Sequence, residues 1–144
     1  MLFDLDGTLV DTAPDMVAVL QDLQRAHDLE PVAYDVGRAY VSNGALGLLS
    51  LGFPDIEHAV GSELHTAYLE RYALRVCEAS TLFPGLEVLL ATLDDAGLPW
   101  GVVTNKPGHL TDPLLDRLAL AARSACTVSG DTLPQRKPDP APLL

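Results

Sequence analysis

The chain has 144 residues, of which 20 are acidic and 9 are basic, so its formal net charge is -11. Hydrophobic residues make up 48% and charged residues 20%, which is typical of a globular domain and excludes a disordered chain. The excess of acid argues against nucleic acid and anionic membranes as partners, because both are polyanions. A small anionic substrate is not excluded, since a few local donors decide such binding.

No apolar run is long enough for a transmembrane helix, which needs about 18 residues or more. The segment Met1–Asp6 lacks the basic region and the long apolar region of a signal peptide, so a cytosolic location is expected. Cys77 and Cys126 are far apart and form no CxxC motif, and they are predicted to be two buried, reduced thiols.

The first half of the chain predicts one buried strand followed by a block of helices. The strand is short, with Met1, Leu2, Phe3 and then Leu5 as its apolar residues, and it ends in acidic residues and Gly7. A helix is then predicted from Thr12, which can cap it, to about Asp28. Further helices are predicted over Tyr34–Val41, Ala45–Leu51 and Asp55–Cys77. No strand pattern is present between Ala13 and Ser80, so this block is interpreted as a helical unit between two parts of another unit.

From Leu82 onward, predicted helices alternate with short apolar strands. The predicted elements are a helix from Pro84 to Gly97, a strand over Trp100–Thr104, a helix over Pro113–Leu120, a strand over Ala125–Val128 and a rigid loop over Lys137–Pro140. This alternation, with strands that are continuously apolar, predicts an α/β fold with a parallel sheet covered on both faces.

Polar side chains follow each predicted strand of this sheet. In open parallel sheets, ligands bind beyond the carboxyl ends of the strands, so these side chains are expected to converge on one crevice. In chain order they are Asp4, Asp6, Thr104, Asn105, Lys106 and Lys137.

Two carboxylates, a hydroxyl and an ammonium in one crevice suit phosphoryl transfer. Neighbouring carboxylates repel unless a cation lies between them, and Mg²⁺ prefers carboxylate oxygens together with water and substrate phosphate. One aspartate can then attack phosphorus, while the other protonates the leaving oxygen and later activates water. Thr104 and Lys137 would hold the phosphoryl oxygens as charge develops. The set is complete for this chemistry except for the remaining metal ligands.

Each of these residues also has a purely structural interpretation. The DxDG run does not fit a calcium loop, because Thr8 and Leu9 replace the residues that such a loop requires. A surface pair of acids, a strand-end hydroxyl at Thr104 and a solvated Lys137 are the simpler alternatives. The four histidines show no metal-binding spacing. Asn43-Gly44 is most simply a turn, but its place in the helical block leaves a substrate-binding role open.

Three segments of the chain resemble the motifs of haloacid dehalogenase-type hydrolases. Phe3–Thr12 is similar to the first motif of the family, Val102–Lys106 to the second and Arg136–Pro140 to the third, in the same order. The helical block has the position of the family's helical cap. The resemblance implies a Rossmann-like core over residues 1–13 and 81–144, incomplete at its C-terminus, and a cap over residues 14–80.

The resemblance also implies a role for each site residue. Asp4 would be the nucleophile and Asp6 the general acid and base. The Asp4 side chain and the Asp6 backbone carbonyl would bind Mg²⁺. Thr104 with Asn105 would bind phosphate, and Lys137 would stabilise its charge. The segments are most similar to those of phosphatases that act on 2-phosphoglycolate or on N-acetylmuramic acid 6-phosphate, so a small phosphorylated metabolite is the expected partner, with the cap closing over it.

The family has a fourth motif, a strand ending in acids that complete the metal site, and the chain stops at Leu144 before any such segment. We interpret this as an interrupted chain. Weak Mg²⁺ binding and low turnover are expected, as is an exposed apolar sheet edge at Leu2–Leu5 that favours aggregation. The oligomeric state is not predicted.

Three other functions stay open. A receiver-like phospho-acceptor also combines an acid pair, a threonine and a lysine, but it needs its acceptor on a middle strand and lacks a helical insert. A phosphomutase would share the same core. A catalytically inert fragment is the third alternative.

Overall fold

The computed structural model describes residues 1–144 and divides the chain into two compact units. The first unit consists of Met1–Asp11 and Thr81–Leu144, and the second of Thr12–Ser80. The first unit is therefore discontinuous in sequence. The helical insert predicted for residues 14–80 starts two residues later than this second unit and ends at the same residue.

The regular elements are as follows. The strands are β1 Leu2–Phe3, β2 Val10–Asp11, β3 Thr81–Leu82, β4 Gly101–Val103 and β5 Thr127–Val128. The helices are α1 Ala13–Ala26, α2 Tyr34–Arg38, α3 Gly44–Gly52, α4 Glu63–Ala73, α5 Leu86–Asp95 and α6 Gly108–Arg117. Short 3₁₀ turns cover Val41–Asn43 and Ala141–Leu143.

The first unit contains a parallel sheet with the strand order β1-β4-β5, which confirms the α/β class. Leu2 lies opposite Gly101, and Val102 lies opposite Thr127. The central strand β4 is completely buried, as its β-branched valines favour. β1 is an edge strand, and its Leu2 is 46% exposed.

A second, two-stranded sheet was not predicted from the sequence. β2 and β3 pair antiparallel, with Val10 opposite Leu82 and Asp11 opposite Thr81. Strands of two residues are too short to show an alternating pattern. Their pairing joins the two stretches of the first unit directly beside the points where the chain leaves it and returns.

The second unit contains only helices and turns, and α1 packs against α2, α3 and α4. Its core includes Leu20, Leu23, Leu48 and Tyr68. Thr12 stands at the N-cap of α1 but does not cap it, because its hydroxyl donates to Met16 Sδ at 3.4 Å.

The prediction of one long helix over Asp55–Cys77 is wrong, because α4 covers only Glu63–Ala73. Gly61 has a φ of 81°, which interrupts helical backbone, and the Ser62 hydroxyl then caps α4 by accepting from His65 N at 3.4 Å. The helix predicted over Tyr34–Val41 likewise ends at Arg38.

Two further corrections concern the first unit and the cysteines. α6 begins at Gly108 instead of Pro113, since Asp131 Oδ1 accepts from Gly108 N at 2.8 Å and satisfies the start of the helix upstream. The cysteines are not buried as predicted: Cys77 is half-buried and Cys126 is exposed.

None of the helices combines the length and apolar character that a membrane span would need.

Candidate active site

The carboxyl ends of β1 and β4 bring together residues about one hundred positions apart. Asp4 directly follows β1, and Thr104 directly follows β4. Because these strands are parallel neighbours, their ends lie at the same edge of the sheet. The predicted convergence of the polar residues rests on this pairing.

Asp4 is held in a fixed orientation by two donors. Its Oδ1 lies 2.7 Å from Lys137 Nζ and accepts from Leu5 N at 2.8 Å. Lys137 Nζ also donates to the Val103 carbonyl at 2.8 Å, so one ammonium connects the ends of β1 and β4. The Asp4 side chain is 49% exposed and that of Lys137 is 24% exposed, so both are open to a ligand from solvent.

Asp6 forms a second ion pair, with a residue to which the sequence assigned no role. Lys106 Nζ lies 2.9 Å from Asp6 Oδ1, and the two side chains are 5% and 16% exposed respectively. One signal pointed to Lys106: it follows directly after Thr104-Asn105 at the predicted strand end. Lys106 and Lys137 are also the only lysines in the chain, and each pairs with one of the two aspartates.

Thr104 and Asn105 connect the site to the loop that carries Lys137. Thr104 is buried, and its Oγ1 accepts from Lys106 N at 3.1 Å. The Asn105 side-chain amide donates to the Lys137 carbonyl at 3.0 Å. The roles predicted for these two residues in phosphate binding stay predictions.

Gly130 allows the loop after β5 to approach the loop after β4. A Cβ at this position would lie 2.1 Å from the Asn105 carbonyl oxygen, which is far inside contact distance. The Gly130 amide donates to the Lys106 carbonyl at 2.8 Å. Any larger residue at position 130 would therefore displace the backbone that carries Asn105 and Lys106.

Asn43 and Gly44 lie in the second unit, at the end of a 3₁₀ turn and the start of α3. Asn43 is exposed and Gly44 is half-buried, and Gly44 has a φ of 69°, which favours glycine. Their role in substrate binding stays a prediction.

The donor set at the end of β1 suits a hard divalent cation. Asp4 offers a carboxylate oxygen and Asp6 a backbone carbonyl oxygen, and Mg²⁺ is often bound by one or two carboxylates with water and phosphate completing its shell. No group of three or more His, Cys, Asp or Glu side chains is arranged to hold a metal ion. Asp4 and Asp6 therefore fit Mg²⁺ as two of its ligands.

Comparison with known proteins yields consistent matches along the whole chain. The family model of haloacid dehalogenase-like hydrolases matches residues 1–144. The N-acetylmuramic acid 6-phosphate phosphatase of Pseudomonas aeruginosa is 43% identical over 150 residues, and the phosphoglycolate phosphatase of Xanthomonas campestris pv. campestris is 40% identical over 144 residues. Both alignments cover 100% of this chain, but the chain spans only 64% and 65% of those proteins.

A solved structure shows the same fold. The crystal structure of a predicted phosphoglycolate phosphatase from Haemophilus somnus matches with a TM-score of 0.80 at 25% sequence identity. The match covers 99% of this chain and 67% of that one.

Proposed function

Since the chain belongs to the haloacid dehalogenase-like hydrolase family, we propose that it hydrolyses small phosphate monoesters through an aspartyl-phosphate intermediate at Asp4. The observation that carries the proposal is the ion pair of 2.7 Å between Asp4 and Lys137 beside the second pair of Asp6 and Lys106. The two pairs bring two carboxylates and two ammonium groups together, which are the groups that the proposed nucleophile, the proposed general acid and base and the proposed phosphate-binding cation require.

In the first step, a carboxylate oxygen of Asp4 bonds to phosphorus while the bond from phosphorus to the ester oxygen breaks. The leaving oxygen takes a proton from Asp6, so that the alcohol departs neutral. In the second step, Asp6 takes a proton from a water that attacks phosphorus, and the bond to Asp4 breaks. Inorganic phosphate leaves, and the Asp4 carboxylate is restored.

The other site residues hold the phosphoryl group. Lys137, already within contact of Asp4, neutralises charge on the phosphoryl oxygens, and Thr104 with Asn105 binds them. The Asp4 carboxylate and the Asp6 backbone carbonyl would hold Mg²⁺, which would offset the negative charge of the phosphate as it approaches two carboxylates.

We assign substrate selection to the second unit, acting as a helical cap, with Asn43 and Gly44 contacting the substrate. The favoured substrate is 2-phosphoglycolate, and N-acetylmuramic acid 6-phosphate is the second candidate. Relatives with these two activities are similar to the chain at 40% and 43% identity, so sequence identity does not separate them. Both substrates are expected in the cytosol.

The test measures phosphate release from both substrates, with Mg²⁺ and with a chelator. Asp4→Asn should reduce turnover by roughly three orders of magnitude or more, because it removes the nucleophile while keeping the shape of the side chain. Asp112→Asn is the matched control, since Asp112 is an exposed aspartate on α6 of the same unit. Turnover retained by Asp4→Asn, or no release from either substrate by the unmodified protein, would overturn the proposal.

A further inference from the structure

Lys106 is nearly completely buried, which is unusual for a lysine. Charged side chains are almost never fully buried unless they are paired, because an ammonium loses its hydration in the protein interior. Its partner is the Asp6 carboxylate at 2.9 Å, which is itself largely buried. Substrate arriving from solvent would therefore meet the more exposed Lys137 and not Lys106.

The backbone of Lys106 is fixed from three sides. Its amide donates to Thr104 Oγ1 at 3.1 Å, and its carbonyl accepts from Gly130 N at 2.8 Å and from Thr111 Oγ1 at 3.2 Å. Asp6 lies between β1 and β2 in an isolated β-bridge with Val10, and its carboxylate accepts from Lys106 Nζ at 2.9 Å. These backbone hydrogen bonds therefore fix the position from which the Lys106 side chain contacts the Asp6 carboxylate.

We propose that Lys106 is a positioning residue that holds the Asp6 carboxylate for its proton transfers. The inference rests on the proposed function, in which Asp6 is the general acid and base. Lys106 acts through Asp6 and does not touch substrate, whereas Lys137 acts on the phosphoryl group.

Kinetics of two variants test this division of roles. Lys106→Met keeps the length of the apolar stem and removes the cation. We expect kcat to fall roughly a hundredfold, while KM changes less than about threefold, because an interaction that matters only during reaction is lost. Lys106→Gln is the second variant, in case methionine at this position impairs folding. A kcat equal to that of the unmodified protein in a folded Lys106 variant would overturn the positioning role.

A double-mutant comparison separates an effect through Asp6 from a general one. In an Asp6→Asn background, Lys106→Met should cause almost no further loss of kcat, because the group it positions is already absent. Lys137→Met should still reduce kcat in that background. A full, additive loss from Lys106→Met would contradict the inference.

The two lysines also permit a spectroscopic test that is independent of activity. Protein labelled with ¹³C at the lysine ε-carbon has one signal from each of its two lysines, which the variants Lys106→Met and Lys137→Met assign. Asp6→Asn should shift the Lys106 signal and leave that of Lys137 nearly unchanged, and Asp4→Asn should do the reverse. An unmoved Lys106 signal in Asp6→Asn would overturn the pairing.

Variant kinetics and NMR together distinguish failure of the inference from failure of the proposed function on which it rests. If the unmodified protein releases no phosphate, the proposed function fails and the positioning role fails with it. A different result overturns only the positioning role. In that case phosphate is released and the expected NMR shifts are seen, but the loss of Lys106 leaves kcat unchanged.

Discussion

The two units of the chain use buried polar side chains in opposite ways. In the first unit, Asp6 pairs with the side chain of Lys106. In the second unit, the buried carboxylate of Asp15 accepts from the backbone amides of Ala79 and Ser80 at 2.9 to 3.1 Å and from the Ser80 hydroxyl at 2.6 Å. The Asp15 carboxylate is thus bound mainly by backbone amides, whereas the Asp6 carboxylate contacts a lysine ammonium.

This difference suits Asp6 to the proposed proton transfers and Asp15 to a structural role. A carboxylate bound to backbone amides joins two chain segments and stabilises them by charge-assisted hydrogen bonds. A carboxylate paired with a lysine side chain can change partners without loss of secondary structure. Substitution of Asp15 should therefore reduce stability, whereas substitution of Asp6 should reduce activity.

Asp15→Ala is expected to have the largest effect on stability. It leaves the amides of Ala79 and Ser80 without their acceptor, and we expect the free energy of unfolding to fall by about 3 kcal/mol or more. The measurement is thermal unfolding followed by far-UV circular dichroism and by the fluorescence of Trp100, the only tryptophan, which lies in the first unit.

Asp22→Ala is the matched comparison for Asp15→Ala. Asp22 is a half-exposed aspartate on the same helix, paired with Arg25 and Arg75, and its loss should cost about 1 kcal/mol or less. Equal destabilisation by the two substitutions would contradict the structural role assigned to Asp15. If the dichroism transition of Asp15→Ala occurs at a lower temperature than its fluorescence transition, the second unit unfolds first.

Gly130→Ala tests the close approach of the two loops in the first unit. The added Cβ meets the Asn105 carbonyl, so we expect a loss of about 1–3 kcal/mol in stability together with reduced phosphate release. Both are measured on the same preparation. Stability and activity equal to those of the unmodified protein would show that the contact at Gly130 does not position the site.

Gln24→Met tests another buried polar side chain of the helical unit. Gln24 Oε1 accepts from Val32 N at 2.9 Å, and its Nε2 donates to the Gly52 carbonyl at 3.2 Å. We expect a loss of about 2 kcal/mol in chemical denaturation, since methionine keeps the volume and removes both bonds. Gln21→Met should cost less, because Gln21 is less buried and donates to the Val32 carbonyl. The reverse order would contradict this assignment.

The smallest effect is expected from pH at the surface of the first unit. Hydrogen bonds from Trp100 Nε1 and Arg123 Nε, each 2.8 Å long, lower the pKa of Asp94 below its ordinary value of 3.8. A carboxyl whose pKa is lower in the folded state contributes stability above its unfolded pKa and loses it as pH falls through the folded pKa.

Thermal unfolding of the unmodified protein and of Asp94→Asn, compared from about pH 6 to about pH 3, checks this effect. The difference in Tm should shrink toward the acidic end, and it should be modest throughout because Asp94 is exposed. A difference that grows as pH falls would show that the sign is wrong.

The sequence by itself determined the fold class and indicated where the candidate site lies. Apolar strands followed by Asp4, by Thr104 and by Lys137 predict a parallel sheet and place reactive groups at the carboxyl end of each strand, because local patterns encode both features. The motifs carried by these segments also indicated the family before any comparison.

Only the tertiary structure decided which groups pair. The contact between Asp6 and Lys106 joins residues 100 positions apart and depends on the register of β1 against β4, which no local pattern contains. The same holds for the β2-β3 ladder and for the close approach at Gly130. Local patterns determine what a segment can form, whereas the packing of distant segments determines what each side chain contacts.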